Sequence, residues 1–337
     1  MAALTTRLPE LNITDAYSDQ NSTNEMQCID FRDWYWLTRH QPVYLLIITT
    51  LGIVLNAFVL LVFCLHKKAC TVAEIYLSNL AAADLVLVSW LAFWAAIMEK
   101  PLNWDFTVAL RGVVKLGMKI NAYCSIYFLV LVSIDRYLAL VHPMSYGRMR
   151  RPKYAKLGCL LVWGLGLLLS ASMLILWAVS RGEMVELVWD GMLITFGFII
   201  PISINTFCTI TIIRALKKQS LARSNAQKSE QKATTLVLVV LVTFLICWVP
   251  FHFMTAINLL YRTEMLVGCD LIKFVDIFTP IITDLAFFNS VVNPILYVVV
   301  GKNFRKKVQE VCKQCGVSTV TTTSTRSNTS APLNTFM

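Results

Sequence analysis

Seven stretches of this chain are apolar for some twenty residues or more, and short basic segments separate several of them. They cover about 42–65, 74–98, 111–140, 157–179, 188–214, 233–260 and 271–300. At about 1.5 Å per residue, each spans a hydrocarbon core about 30 Å thick. Backbone polar groups in a bilayer need internal partners, so only helices and closed barrels cross it. These runs lack the two-residue alternation of barrel strands. Charged residues make up 15% of the chain, against about 25% in a soluble domain. The expected fold is all-α and embedded in a lipid bilayer: a seven-transmembrane helix bundle with a short amphipathic cytoplasmic helix after it.

The spacing divides the chain into an N-terminal segment at 1–38, the bundle at 39–300, the amphipathic helix at 301–313 and a tail at 314–337. The first run has no cleavage-site pattern, so it reads as a spanning helix rather than a signal peptide. Basic residues set the orientation. His66, Lys67 and Lys68 follow run one; Arg148, Arg150, Arg151, Lys153 and Lys156 follow run three. Lys217, Lys218, Arg223, Lys228 and Lys232 follow run five, and Lys302, Arg305, Lys306 and Lys307 follow run seven. The alternate connections are mixed or acidic, as at Glu183 and Glu186. The positive-inside bias therefore expects an extracellular N-terminus, a cytoplasmic C-terminus and a multi-pass plasma-membrane protein. It also accounts for most of the net charge of +10, which gives no reason to expect nucleic-acid binding.

Asn12-Ile-Thr14 and Asn21-Ser-Thr23 are glycosylation acceptors on the expected outer side. The tail from Ser318 to Ser330 is dense in Ser and Thr. It reads as a disordered linker or as a phosphorylation cluster that recruits arrestin and receptor kinases. Cys312 and Cys315 follow the basic segment Asn303 to Lys313, as palmitoylation sites or as plain thiols. Of ten cysteines, Cys28 and Cys269 are the two on the expected outer side, and a disulfide between them is expected.

Charge at membrane depth is costly and marks function. Asp84 lies mid-run two, Lys115 and Lys119 in the outer part of run three, and Asp276 and Asp284 in run seven. Asp84, Asn121, Ser125, Asn289 and Asn293 form a candidate polar cluster able to hold a sodium ion; taken singly, each is a helix-tying hydrogen bond. His252 either lines a pocket or packs. No His or Cys pair has metal-ligand spacing, and neither a phosphate-binding glycine loop nor a nucleophile elbow is present. An enzyme is not expected.

Run three ends in Asp135-Arg136-Tyr137, run six holds Phe244 and Cys247-Trp248-Val-Pro250, and run seven ends in Asn293-Pro294-Ile-Leu-Tyr297 before Phe304. With Gly52 and Asn56, Leu80 and Asp84, Trp163, and Pro201, one set per run, the chain resembles the rhodopsin-type G-protein-coupled receptors over about 40–312. The resemblance implies that Asp135, and Glu230 at the foot of helix six, hold Arg136. Phe244, Pro201 and Ile126 would form a repacking core beneath Trp248, and helix six, bent at Pro250, would swing outward to admit a G protein.

Thr71-Val-Ala-Glu-Ile-Tyr76, Asn79-Leu-Ala-Ala-Ala-Asp84, Ser133-Ile-Asp-Arg-Tyr-Leu-Ala-Leu140, Gly147-Arg-Met-Arg150 and Val299-Val-Gly-Lys-Asn-Phe-Arg-Lys-Lys307 resemble the bradykinin (kinin) receptors, as does the cysteine pair. The implied ligand is a short basic peptide, and the implied coupling is to Gq and calcium release. Asp276 matches an acidic residue facing the peptide's cationic end, with Asn258 at its partner position. Lys119 resembles the lysine that pairs a carboxylate in peptides lacking the C-terminal arginine. Trp94, Trp248 and Phe253 would supply apolar walls. The outer half departs from the pattern: Arg111 replaces a cysteine, Ala92 and Ser172 replace prolines, and the loop at Ser180 to Glu186 is short and has no cysteine. These departures set up a second expectation, a divergent or remodelled receptor with an altered ligand or high basal activity.

Overall fold

The computed structural model describes residues 31–67, 69–99, 104–142, 151–179, 183–218, 225–266 and 268–324. The helices are α1 (Phe31–Leu65), α2 (Val72–Glu99), α3 (Trp104–Val141) and α4 (Pro152–Val179). Glu183–Ile194, Thr195–Ile199 and Ile200–Lys218 run on together as α5; α6 (Asn225–Arg262), α7 (Cys269–Val299) and α8 (Lys302–Ser324) follow. Among the described residues seven helices are long and apolar enough to cross a membrane, and they match the seven apolar runs to within a few residues. Two boundaries differ from expectation. Helix α1 already begins at Phe31 and carries Pro42 inside it, and α8 runs to Ser324, past the expected end at 313.

Chain neighbours pack as antiparallel pairs, α1 on α2, α2 on α3 and α6 on α7, and α7 returns to α1. Helix α3 touches α2, α4, α5 and α6, so its residues reach every layer of the interior. The membrane inverts the usual surface. Leu160 and Leu168 on α4 are 69% and 68% exposed, a face suited to lipid rather than water. Between helices, burial of apolar surface gains little in lipid, so close contact and polar ties carry the packing. A Cβ at Gly117 of α3 would stand 2.2 Å from the Trp90 ring of α2, so only glycine permits that approach. Asn56 Nδ2 donates to Gly52 O at 2.9 Å and to Ser290 O at 2.9 Å, tying α1 to α7. Trp163 Nε1 donates to Asn79 Oδ1 at 3.1 Å, tying α4 to α2.

Prolines shape three helices. Pro250 lies inside α6, and Pro280 and Pro294 lie inside α7. Each removes an N–H from the ladder, the usual origin of a helix bend. In α5 the residues Thr195–Ile199 form a π-helical turn, and the Ile200 N–H donates to Thr195 O. Pro201 follows at once, and a wider turn before it accommodates a ring that has no N–H to give. By contrast α2 and α4 run unbroken through Ala92 and Ser172.

Helix α2 starts with a capping box. Thr71 N–H donates to Glu74 Oε2 at 2.8 Å, and Glu74 N–H donates to Thr71 Oγ1 at 3.4 Å. The same Glu74 oxygen accepts from Lys307 Nζ at 2.8 Å. His66 Nε2 lies 3.0 Å from Glu310 Oε2. Phe304 inserts its ring between Phe63, at 5.5 Å, and Tyr297, at 6.3 Å. Helix α8 is thereby pinned to the α1–α2 turn by one aromatic plug and two polar pairs. Gly301 allows the turn out of α7, because a Cβ there would stand 2.3 Å from Tyr297 O.

Candidate functional site

The sequence-predicted residues resolve into a buried column that runs from Trp248 down to Arg136. Trp248 and Phe244 stack on α6 with centroids 5.6 Å apart and an interplanar angle of 19°. Ile126 of α3 belongs to the same buried cluster, as expected for the core beneath the tryptophan. Below it Asp84 is fully buried and makes three polar contacts. Asn121 Nδ2 donates to its Oδ1 at 3.3 Å, Ser290 Oγ to the same oxygen at 2.9 Å, and Asn293 Nδ2 to Oδ2 at 3.0 Å. Ser125 joins at one remove, accepting from Asn121 Nδ2 at 3.1 Å. Asn289 is buried nearby but makes no bond to Asp84; its Oδ1, like that of Asn293, has no hydrogen-bond partner. Ser290 fills the place expected of Asn289. A serine in an apolar run is too common to single out, and only helical phase separates the two neighbours.

At the foot of the column Arg136 is 2% exposed. Its Nε donates to Asp135 Oδ2 at 3.0 Å, so the guanidinium is held by the neighbouring carboxylate. Tyr137 Oη lies 3.1 Å from His142 Nε2, and the Tyr137 ring packs on Phe207 of α5 at 5.8 Å. Tyr297 is buried and its hydroxyl is unpartnered. Pro294 and Asn293 bring α7 against Asp84 from the other side. The Glu230 side chain lies outside the described residues.

At the far end of the bundle, away from Arg136, Trp94 is buried with Leu45, Leu91, Val114 and Phe287, where α1, α2, α3 and α7 meet. Lys115 and Lys119 are half-buried on α3, as are Asn258 on α6 and Asp276 on α7. His252 is buried, tilted against Trp248 at 6.1 Å and stacked on Phe198 at 4.6 Å. Phe253 corrects the expectation of an apolar wall. It is 62% exposed and lines up with Val242, Ile246 and Val249 on the outward stripe of α6. One residue turns a helix by about 100°, so an aromatic two places away faces differently: Phe251 packs on Trp248 at 5.5 Å. Trp189 and Tyr123, outside the expected set, meet edge to face with ring centroids 6.3 Å apart. An aromatic residue in an apolar run carries no signal of its own. Cys28, Asn12 and Asn21 lie outside the described residues, as do the side chains of Cys269, Cys315 and Arg111; Cys312 is exposed on α8.

A buried carboxylate at mid-bundle, a tryptophan over a proline bend and a self-paired arginine at one end define a signalling bundle rather than a catalytic site. The chain matches the family of 7 transmembrane receptors (rhodopsin family) over residues 55–297. It belongs to that family, the rhodopsin-type G-protein-coupled receptors, which are receptors and not enzymes. Within it the chain stands close to the kinin receptors. It is 43% identical to the B2 bradykinin receptor of Homo sapiens over 318 residues, covering 89% of this chain and 81% of that one. It is 44% identical to the B2 bradykinin receptor of Rattus norvegicus over 327 residues, covering 91% and 83%. To the B1 bradykinin receptor of Homo sapiens it is 36% identical over 298 residues, covering 84% of each.

Proposed function

We infer that this chain is a plasma-membrane receptor for a short basic peptide of the kinin type, with its N-terminus extracellular and its C-terminus cytoplasmic. One observation supports the signalling half of this reading most: Trp248 stacked on Phe244, the Asp84 cluster and Arg136 paired with Asp135 are all buried in the interior of the bundle. A ligand biases such an interior between two arrangements. In the described one Arg136 is folded onto Asp135 and buried. Release of Arg136 and an outward swing of α6 about Pro250 open the basic end to a G protein of the Gq family, with calcium release downstream. The Ser/Thr-rich tail then supplies phosphorylation sites for receptor kinases and arrestin.

The ligand half of the reading rests on identity to the B2 bradykinin receptors over most of the chain. Asp276 receives the peptide's cationic end, Asn258 stands beside it as a neutral partner, and Lys115, Lys119, Trp94, Trp248 and His252 line the remainder.

The Asp84 cluster suits a sodium ion. Asn289 Oδ1 and Asn293 Oδ1 are buried acceptors without donors, and with the carboxylate they make an oxygen-rich set suited to a hard monovalent cation. The ion would offset the burial of the carboxylate and favour the resting arrangement.

A second reading has its own observation: only residues 180–182 separate α4 from α5. So short a connection supports an altered ligand or raised basal activity.

The test is intracellular calcium in cells expressing the chain, challenged with a bradykinin-type peptide and with the form lacking the C-terminal arginine. A response to either supports the kinin reading. Silence to both from a chain present at the cell surface sinks the kinin reading and, with normal or raised basal signalling, supports the second.

A further inference from the structure

Helix α7 carries a further acid at depth, Asp284, that the Asp84 cluster does not use. Helix α1 meets it with two side chains about one turn apart. Tyr44 Oη donates to the main-chain O of Asp284 at 2.9 Å, so its proton is spent on the backbone and not on the carboxylate. Gln41 Nε2 donates to Asp284 Oδ1 at 3.4 Å. That long contact is the one hydrogen bond the carboxylate makes among the described residues, whereas the Asp84 carboxylate accepts from three side chains. No cationic side chain among the described residues lies within salt-bridge distance of Asp284. Thr283, its chain neighbour, is 2% exposed, and its Oγ1 has no hydrogen-bond partner. Asp284 and Gln41 are only half-buried, so packing does not seal them. Tyr44 in turn packs on the apolar cluster that holds Trp94 and Phe287.

The group is short of donors and of positive charge. An ionised carboxylate takes about four hydrogen bonds, and at membrane depth its charge calls for a partner. The acceptors gathered here are the two carboxylate oxygens, the Gln41 amide oxygen and the Thr283 hydroxyl. A guanidinium offers five N–H donors in one plane and pairs a carboxylate through two parallel bonds, so it meets several acceptors at once. An ammonium is a compact point charge with a strong hold on its water. Aromatic walls such as Trp94 and Phe287 also suit a flat cation. Asp284 lies eight residues further along α7 than Asp276, about 12 Å down the axis, so one cationic group cannot meet both.

We propose that Asp284, Gln41 and Thr283 form a guanidinium-accepting subsite between α1 and α7, in which Asp284 supplies the countercharge and Gln41 orients its carboxylate. None of the three belongs to the motifs that carry the kinin resemblance. This deepens the peptide-receptor reading and rests on it. The guanidinium is that of the peptide's C-terminal arginine or of a small free compound, and the test separates the two.

The full chain in lipid nanodiscs is titrated with a bradykinin-type peptide, and with its analogue bearing citrulline, neutral and of the same shape, in place of the C-terminal arginine. The arginine peptide should bind about tenfold tighter, as a hydrogen-bonded charge pair allows. Asp284→Asn should abolish this preference by weakening the arginine peptide alone. Gln41→Leu and Thr283→Val should each retain part of it, and they supply the reading if the asparagine variant does not fold. Asp276→Asn should weaken both peptides alike and leave the preference in place. Equal binding of the two peptides, or a preference undiminished in Asp284→Asn or in both the Gln41 and Thr283 variants, overturns the subsite while leaving the peptide reading intact. If neither peptide binds, the peptide reading fails and N-acetylarginine amide decides the subsite. A rise in melting temperature with this compound but not with its citrulline counterpart, diminished in the subsite variants, upholds the subsite for a small guanidinium; no rise overturns it.

Discussion

At the scale of single residues, the interior turns on Asp84. Its oxygens accept from Asn121, Ser290 and Asn293, which belong to two other helices. Asp84→Asn places an amide among groups that are already donors, so one buried donor is left unmatched at a cost of about 1–3 kcal/mol. The expected outcome is a lower melting temperature and agonist binding that no longer responds to sodium. Wild-type agonist affinity equal in sodium and in choline buffer would falsify the cation role. Arg136→Ala should abolish G-protein activation while surface expression stays near wild type; activation at wild-type level would remove Arg136 from the mechanism. Both residues are legible in the sequence, because a charge within an apolar run is rare and costly. Ser290, Trp189 and Tyr123 are not, because small polar and aromatic residues are ordinary there, and only the packing shows which of them meet a charge. Phe253 shows the converse: its chemistry suited a pocket, but its phase on α6 turns it outward.

At the scale of elements, the helices were legible because apolar length is set by bilayer thickness. Their ends were less so. Helix α1 continues upstream through Pro42 to Phe31, in a stretch punctuated by Arg39 and His40. The π-helical turn before Pro201 left no trace in hydropathy, since one extra residue per turn changes phase and not composition. Glu74 closes the capping box with Thr71 and also receives Lys307, from far along the chain, a pairing that no local spacing signals. This pair is mostly buried, with each side chain 13% exposed, and it fixes α8 beside the α1–α2 turn. Glu74→Gln keeps the capping box but removes the charge, and Lys307→Met removes the partner. Each should cost about 0.5–1 kcal/mol in thermal unfolding, and the double variant no more than either alone. Fully additive losses would show that the two side chains do not act as a pair.

At the scale of the whole molecule, α3 packs on α2, α4, α5 and α6, while α6, α7, α1 and α2 follow one another by contact, and the outward faces are apolar. The basic end carries the family's motifs, Asp135-Arg136-Tyr137 and Asn293-Pro294-Ile-Leu-Tyr297. The far end departs from the kinin pattern at Arg111, Ala92 and Ser172, and only residues 180–182 separate α4 from α5. Family membership was readable because its motifs fall one to a helix; the ligand end was not, because its contacts come from helical phase and from three elements at once. The central claim is that occupancy at the far end is read at Arg136. Guanine-nucleotide exchange on purified Gq, with the chain in nanodiscs, tests it most directly. A kinin-type peptide should raise exchange severalfold in the wild type and leave it flat in Arg136→Ala. An exchange rate indifferent to peptide, from a chain that binds that peptide, would contradict it.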